Sequence, residues 1–151
     1  PLEDITAVLG HPLRETLSMH SNPAAPGQLD QHYSPGCELV SLAEDQITET
    51  MESRLSEASS AKTGFLWPSK SYSDAFLSSL SSQLRAGFHQ FTHYHLSDVG
   101  DDKQAAMNLF GLLRQFDKDD CSRVYFTWFP TAGLGRAIND RLQRASAKTK
   151  G

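Results

Sequence analysis

Between residues 123 and 147 the chain passes from an unbroken apolar run to a spaced one. RVYFTWFP is rich in β-branched and aromatic residues and closes on Pro130, which predicts a strand covered on both faces. TAGLG follows, and behind it Leu134, Ala137, Ile138 and Leu142 recur at helical spacing, with Thr131 as a helix N-cap type. A buried strand joined to an amphipathic helix by a short Gly-bearing turn is half of a βαβ unit.

The same alternation recurs upstream. Residues 37–42 predict a first short strand, and residues 43–61 a helix with Ile47, Met51, Leu55 and Ala58 on one face. Residues 63–68 predict a second strand, then a helix capped by Ser71 or Ser73 and running to Ala86 with the stripe Phe76, Leu77, Leu80 and Leu84. Gly87 is expected to stop that helix, and residues 89–97 to form a third strand. Asp101 and Asp102 suit the N-terminus of a further helix, made amphipathic by Ala105, Ala106, Leu109, Phe110, Leu113 and Phe116. Residues 121–130 are the fourth strand. Four strand–helix alternations with short connections predict an α/β fold: a three-layer open, mainly parallel sheet of four or five strands with helices on both faces, Rossmann-like.

Residues 2–10 read as a short helix stopped at Gly10. From His11 to Pro35 the pattern lapses, with four prolines and no periodicity. Such a segment is too poor in apolar residues to fold alone. The division expected is an interdomain linker at 1–35, a domain at 36–147 and a tail at 148–151.

Composition narrows the function classes. A net charge of −4 and a pI near 5.8 give no basic footprint, so no direct nucleic-acid partner is expected. No apolar run approaches the roughly 20 residues of a membrane span, so no membrane partner is expected. Two cysteines, Cys37 and Cys121, make no disulfide framework and fit a reducing cytoplasm. The chain begins at Pro1 without a methionine, which suggests a piece of a longer protein or trimmed numbering.

Candidate chemistry is sparse. His89, His93 and His95 share parity on the third predicted strand, so they would point to one face; no neighbouring carboxylate or thiolate completes a metal set, and if the strand is an edge they are simply solvated histidines. Serines scattered through 53–82 read as a solvated face. Gly133-Leu134-Gly135, at a strand-to-helix turn, invites an anion, but the dinucleotide fingerprint wants Gly or Ala at position 138 and Ile138 stands there. A GxxxxGK[ST] loop is absent, as is any nucleophile–base motif. Asn139, Asp140 and Arg141, beside Arg136 and Arg144, read as a surface or interface network. An independent nucleotide-binding module and a protein-interaction module both stay open on these residues alone.

Two separated motifs carry a family resemblance. APGQLDQHYSP, residues 25–35, resembles the linker of the two-domain threonylcarbamoyl-AMP synthases, typically [S/A]PGM followed by HY[A/S]P; Gln28 departs from the methionine. RVYFTWFPTAGLGRAINDRLQRAS, residues 123–146, resembles the end of the same proteins, where a strand precedes GLG-x-A-[I/V]-x-DRL-x-[R/K]-A. The likeness covers residues 2–42 and 101–147, with the middle matched in pattern.

The resemblance implies a linker and a Rossmann-like C-terminal domain whose partner is a YrdC-like catalytic domain, in the same polypeptide or in trans. That domain makes threonylcarbamoyl-AMP and diphosphate from ATP, L-threonine and bicarbonate, for the t6A modification of tRNA. The whole enzyme is then a cytoplasmic nucleotidyltransferase that uses ATP with Mg. This chain lacks the ATP-binding part, carries no cofactor and no catalytic residue, and is expected to be inactive alone. Pro26 and Gly27 would shape the linker, His32 and Tyr33 would face the nucleotide or threonine, and Pro35 would end the segment. Gly133, Leu134, Gly135, Asn139, Asp140 and Arg141 match the second motif, with fold maintenance or domain docking as their implied role.

Overall fold

Val124, Tyr125 and Phe126 are consecutive and all buried, as a strand covered on both faces requires. They belong to β4 (Arg123–Phe126), an inner strand of the sheet in the computed structural model, which describes residues 35–149 and side chains as far as residue 147. The helix predicted for 2–10 and the linker positions Pro26, Gly27, His32 and Tyr33 lie outside the described residues.

With β1 (Glu38–Ser41), β2 (Thr63–Trp67) and β3 (Thr92–His95), β4 forms a wholly parallel sheet in the order β1-β4-β2-β3. The register sets Leu39 beside Val124, Val124 beside Gly64, and Leu66 beside Tyr94. Helix α1 (Ile47–Ser56) links β1 to β2, and α2 (Lys70–Ser79) and α3 (Ser82–Phe88) link β2 to β3. Helix α4 (Asp102–Lys118) returns the chain to β4, and α5 (Gly135–Thr149) follows it.

Alternate strand residues feed two cores, because successive side chains leave a strand on opposite faces. Leu39, Leu66, Tyr94, Leu96, Val124 and Phe126 pack under α4 and α5, where Leu109, Phe116, Ile138 and Leu142 meet them. Phe65, Trp67 and Tyr125 pack under α1, α2 and α3, against Ile47, Met51, Leu80 and Phe88. The architecture is therefore the expected three-layer α/β sandwich, with four strands among the described residues.

Several element boundaries differ from expectation, each for a local reason. The helix expected over 43–61 is a 3-10 turn (Glu44–Gln46) followed by α1, which stops at Ser56. Beyond Leu55 only Ala58 continues the apolar stripe, it is exposed, and Ser59 Oγ turns back to accept the Ala61 amide. The single helix expected to Ala86 is two. Ser69, not Ser71 or Ser73, caps α2, and Ser81 caps α3 by accepting the Leu84 amide; between them Leu80 turns extended and enters the core.

Gly87 does not stop α3. It lies inside the helix against Leu55, where a side chain would collide. The third strand is only Thr92–His95, so His89 sits at the C-cap of α3 and does not share a strand face with His93 and His95. Thr131 is not the cap of α5, which begins four residues later at Gly135.

Candidate functional site

In open parallel α/β sheets, ligands bind outside the strand C-termini at the point where successive crossovers diverge. Here β4 hands the chain to α5 on one face while its neighbours β1 and β2 hand it to α1 and α2 on the other, so the C-terminal ends of the strands around β4 are where such a crevice would lie. The helix N-termini facing this edge are the anion-binding positions of the fold.

Those of α2 and α4, and the turn that leads into α5, are already filled by the protein's own groups. The Lys70 and Ser71 amides at the start of α2 donate to the carbonyls of Ser97 and Asp98 at 2.9 and 3.0 Å, and Tyr72 donates to Ser69 Oγ at 3.0 Å. Asp101 caps α4, accepting from Lys103 and Gln104 at 2.9 and 3.3 Å. Before α5, the Leu134 amide donates to Asp102 Oδ2 at 2.7 Å. The carboxylate of Asp102 stands where a phosphate would enter the Gly133-Leu134-Gly135 turn. These residues therefore do not fit a nucleotide.

The motif residues build this turn. Gly133 has φ of +57°, and a Cβ there would overlap the Asp102 carboxylate. A Cβ on Gly135 would overlap the carbonyl oxygen of Pro130, so the loop can fold back over the helix start only with glycine there. Leu134 drops into the core between them. Asn139 clamps Phe129 through both its backbone groups: Oδ1 accepts the amide at 2.8 Å and Nδ2 donates to the carbonyl at 2.8 Å.

Asp140 pairs on the surface with Arg144 at 2.9 Å, and Arg141 lies over the Phe110 ring at 5.1 Å, joining α5 to α4. Arg136 is exposed nearby. At the other end of the sheet Pro35 is buried, and the Gly36 amide donates to Asp117 Oδ1 at 2.7 Å, fixing where the linker meets β1.

Of the three histidines singled out, His89 is exposed at the end of α3, whereas His93 and His95 are built into the structure. His93 Nδ1 accepts from the Trp67 indole at 2.9 Å, so the hydrogen sits on Nε2, which donates to the Phe88 carbonyl at 2.7 Å. The ring also stacks on Phe88, with centroids 3.8 Å apart. Burial lowers its pKa from 6.5.

His95 Nε2 lies 2.8 Å from Ser73 Oγ, a serine–histidine pair that sequence spacing did not reveal. Ser73 is 3% exposed and gives its proton to the Lys70 carbonyl at 3.0 Å, so the imidazole is the donor to it and does not activate it as a nucleophile. Among the described residues, no group of three or more His, Cys, Asp or Glu is arranged to hold a metal ion.

Both cysteines are free and buried. Burial, with Asp117 adding to it, pushes the Cys37 thiol up to about 12, which keeps it protonated and inert. Beside Cys121, the Tyr94 hydroxyl donates to Asp119 Oδ2 at 2.7 Å and holds that carboxyl below its ordinary value. Among the described residues, no helix is long and apolar enough to cross a membrane.

One side-chain polar atom at this edge is buried and unpartnered among the described residues: Oγ1 of Thr127, just past β4. Beyond it Trp128 is 43% exposed, and residues 130–133 are exposed as well.

Fold and site together define a doubly wound parallel α/β domain in which the amides before α5 and at the starts of α2 and α4 are held by the protein's own groups. A comparison with curated proteins finds no match. A comparison with protein families matches residues 1–147 to the family described as threonylcarbamoyl-AMP synthase, C-terminal domain, and the chain belongs to that family.

Proposed function

We propose that this chain is the accessory part of a threonylcarbamoyl-AMP synthase and performs no chemistry alone. The catalytic part, YrdC-like, takes ATP with Mg, L-threonine and bicarbonate and releases diphosphate, in the cytoplasm and in service of tRNA t6A modification. Residues 1–35 act as the segment that covers its active site, with His32 and Tyr33 facing the reactants and Pro26 and Gly27 setting the bend. The observation that carries this reading is the Asp102 carboxylate on the Leu134 amide. The turn that an independent nucleotide-binding module would use is occupied, and the family's description as the C-terminal domain of threonylcarbamoyl-AMP synthase supports an accessory role.

A covering segment suits the chemistry. A carbamate and a mixed carbonic–phosphoric anhydride both decompose in water, and closure over them excludes water and orders the reactants. The test is a synthase polypeptide carrying this chain, with His32→Ala and Tyr33→Ala introduced. Threonylcarbamoyl-AMP formation should fall at least tenfold while diphosphate release uncoupled from product rises. Unchanged product formation in both variants overturns the role given to the linker.

A further inference from the structure

The sheet ends on β3, whose outer edge meets no strand among the described residues. The Leu96 amide donates to the Trp67 carbonyl at 3.0 Å, so Leu96, and with it Tyr94 and Thr92, turns its backbone groups towards β2. The amides and carbonyls of His93 and His95 alternate with these and face outward. Charge or proline commonly guards such an edge, yet residues 91–97, FTHYHLS, hold no Asp, Glu, Lys, Arg or Pro.

An open cavity of about 590 Å³ runs around this edge. Its lining joins His95, whose ring is bonded to Ser73 of α2 on one face of the sheet, to Met107, Asn108, Gly111, Arg114 and Gln115 of α4 on the other. Groups on opposite faces can share one cavity only where the sheet stops. Two features of the lining are unexplained by the chain's own packing. Met107 is 73% exposed. Gly111 stands near the middle of α4, where only proline is a poorer helix former, and a Cβ there would meet nothing within 4 Å. Space left open at mid-helix lets another backbone come close.

We infer that two copies of the chain meet here about a twofold axis through Gly111, so that α4 packs antiparallel on its copy and the free edges of β3 come together. The inference stands apart from the function proposed above. What commits it to a second copy is the self-complementarity of α4. Across a twofold, positions equally distant from Gly111 face each other. Met107 then meets Gln115 and Asn108 meets Arg114, all of them residues of the cavity lining. Further out Lys103 meets Asp119 and Lys118 meets Gln104, so no cation faces a cation. Neither lysine has an ion-pair partner among the described residues.

The backbone agrees with the side chains. Antiparallel helices oppose their dipoles favourably, and a glycine at the crossing allows the short end of the usual range of roughly 8–10 Å between axes. A small molecule is a poorer occupant, because such ligands need enclosure and this groove is open. A strongly acidic or basic partner would want a run of one charge along the groove, and the lining holds no Asp, Glu or Lys.

Sedimentation of the 151-residue chain tests this. At about 100 µM, where an interface of transient strength is populated, the mass should approach twice 16.7 kDa. Gly111→Glu sets two carboxylates together on the axis and should weaken association about tenfold or more. It enters open space and improves helix propensity, so at low concentration its Tm should be no lower than that of the parent. Hydrogen exchange at the His93 and His95 amides should slow as the parent's concentration rises, and should not in Gly111→Glu. A chain that stays monomeric overturns the inference, as does a dimer that Gly111→Glu leaves intact or one that leaves both amides unprotected. Masses that climb past the dimer make the contact head-to-tail and overturn the twofold.

Discussion

The carboxylate of Asp102 accepts the backbone amide of Leu134 at 2.7 Å, across 32 positions of sequence. One side chain at the start of α4 thus fills the turn before α5, ties two loops of the C-terminal edge together, and replaces the anion the fold would otherwise attract. Removing it tests all three roles. Asp102→Ala should cost about 1–2 kcal/mol in urea unfolding, since a charge-assisted bond at a partly exposed site is lost. Asp102→Asn keeps an acceptor and should cost less than half as much. Hydrogen exchange at Leu134 should accelerate in both, most in the alanine variant.

Asn139 holds Phe129 by two bonds of 2.8 Å, so Asn139→Ala strands a backbone amide and carbonyl together. The expected loss is about 2 kcal/mol, with the near-ultraviolet signal of Trp128 flattened as its loop loosens. Asn139→Asp should restore only the bond from the amide and recover part of the loss. Equal stability of all three proteins contradicts the clamp.

Thr127 offers the opposite sign. Its buried hydroxyl has no partner among the described residues, and such a group costs free energy in the folded state. Thr127→Val should leave stability unchanged or raise it by up to about 1 kcal/mol, read as a higher Tm. A clear loss of stability means that the hydroxyl is satisfied in solution.

The two strand histidines set a pH dependence. Burial lowers the pKa of both His93 and His95 from 6.5, and a proton on His93 Nδ1 would displace the Trp67 indole. The unfolded chain therefore binds protons that the folded chain refuses, so stability is fully present above pH 6.5 and falls as the pH drops below it. Carboxylates titrate lower, near pH 4, so Tm compared at pH 7.5 and 5.5 isolates the histidines. The Tm should be lower at pH 5.5, and His93→Gln should reduce the difference without abolishing it, because His95 remains.

The alternation of elements was legible because periodicity reports burial. Val124 to Phe126 read as a two-sided strand and are one, and the stripe Leu109, Leu113, Phe116 read as a helix face and is one. The break at Leu80 was not legible. Ser78, Ser79, Ser81 and Ser82 suit a helix surface as well as a cap, and only the core contact of Leu80 decides between them. Gly87 looked like a stop signal because its neighbour Leu55, 32 positions away, is invisible to local pattern.

The candidate site followed the same division. Gly133, Leu134, Gly135 and Asn139 could be singled out from the motif, and fold maintenance was among the roles expected of them. Their partners Asp102, Pro130 and Phe129 could not be found, since each contact depends on how α4 and α5 meet over the sheet. His93 and His95 were noticed for shared parity, yet the indole and hydroxyl that hold them come from β2 and α2. No spacing rule carries that information.

The central claim is that this domain assists a synthase and does not itself perform the reaction. Diphosphate release by the purified 151-residue chain, supplied with ATP, Mg, L-threonine and bicarbonate, tests it most directly. The account predicts release no faster than without protein, and product formation once a catalytic domain of the family is joined ahead of Pro1. Turnover by the isolated chain that depends on threonine and bicarbonate would contradict it.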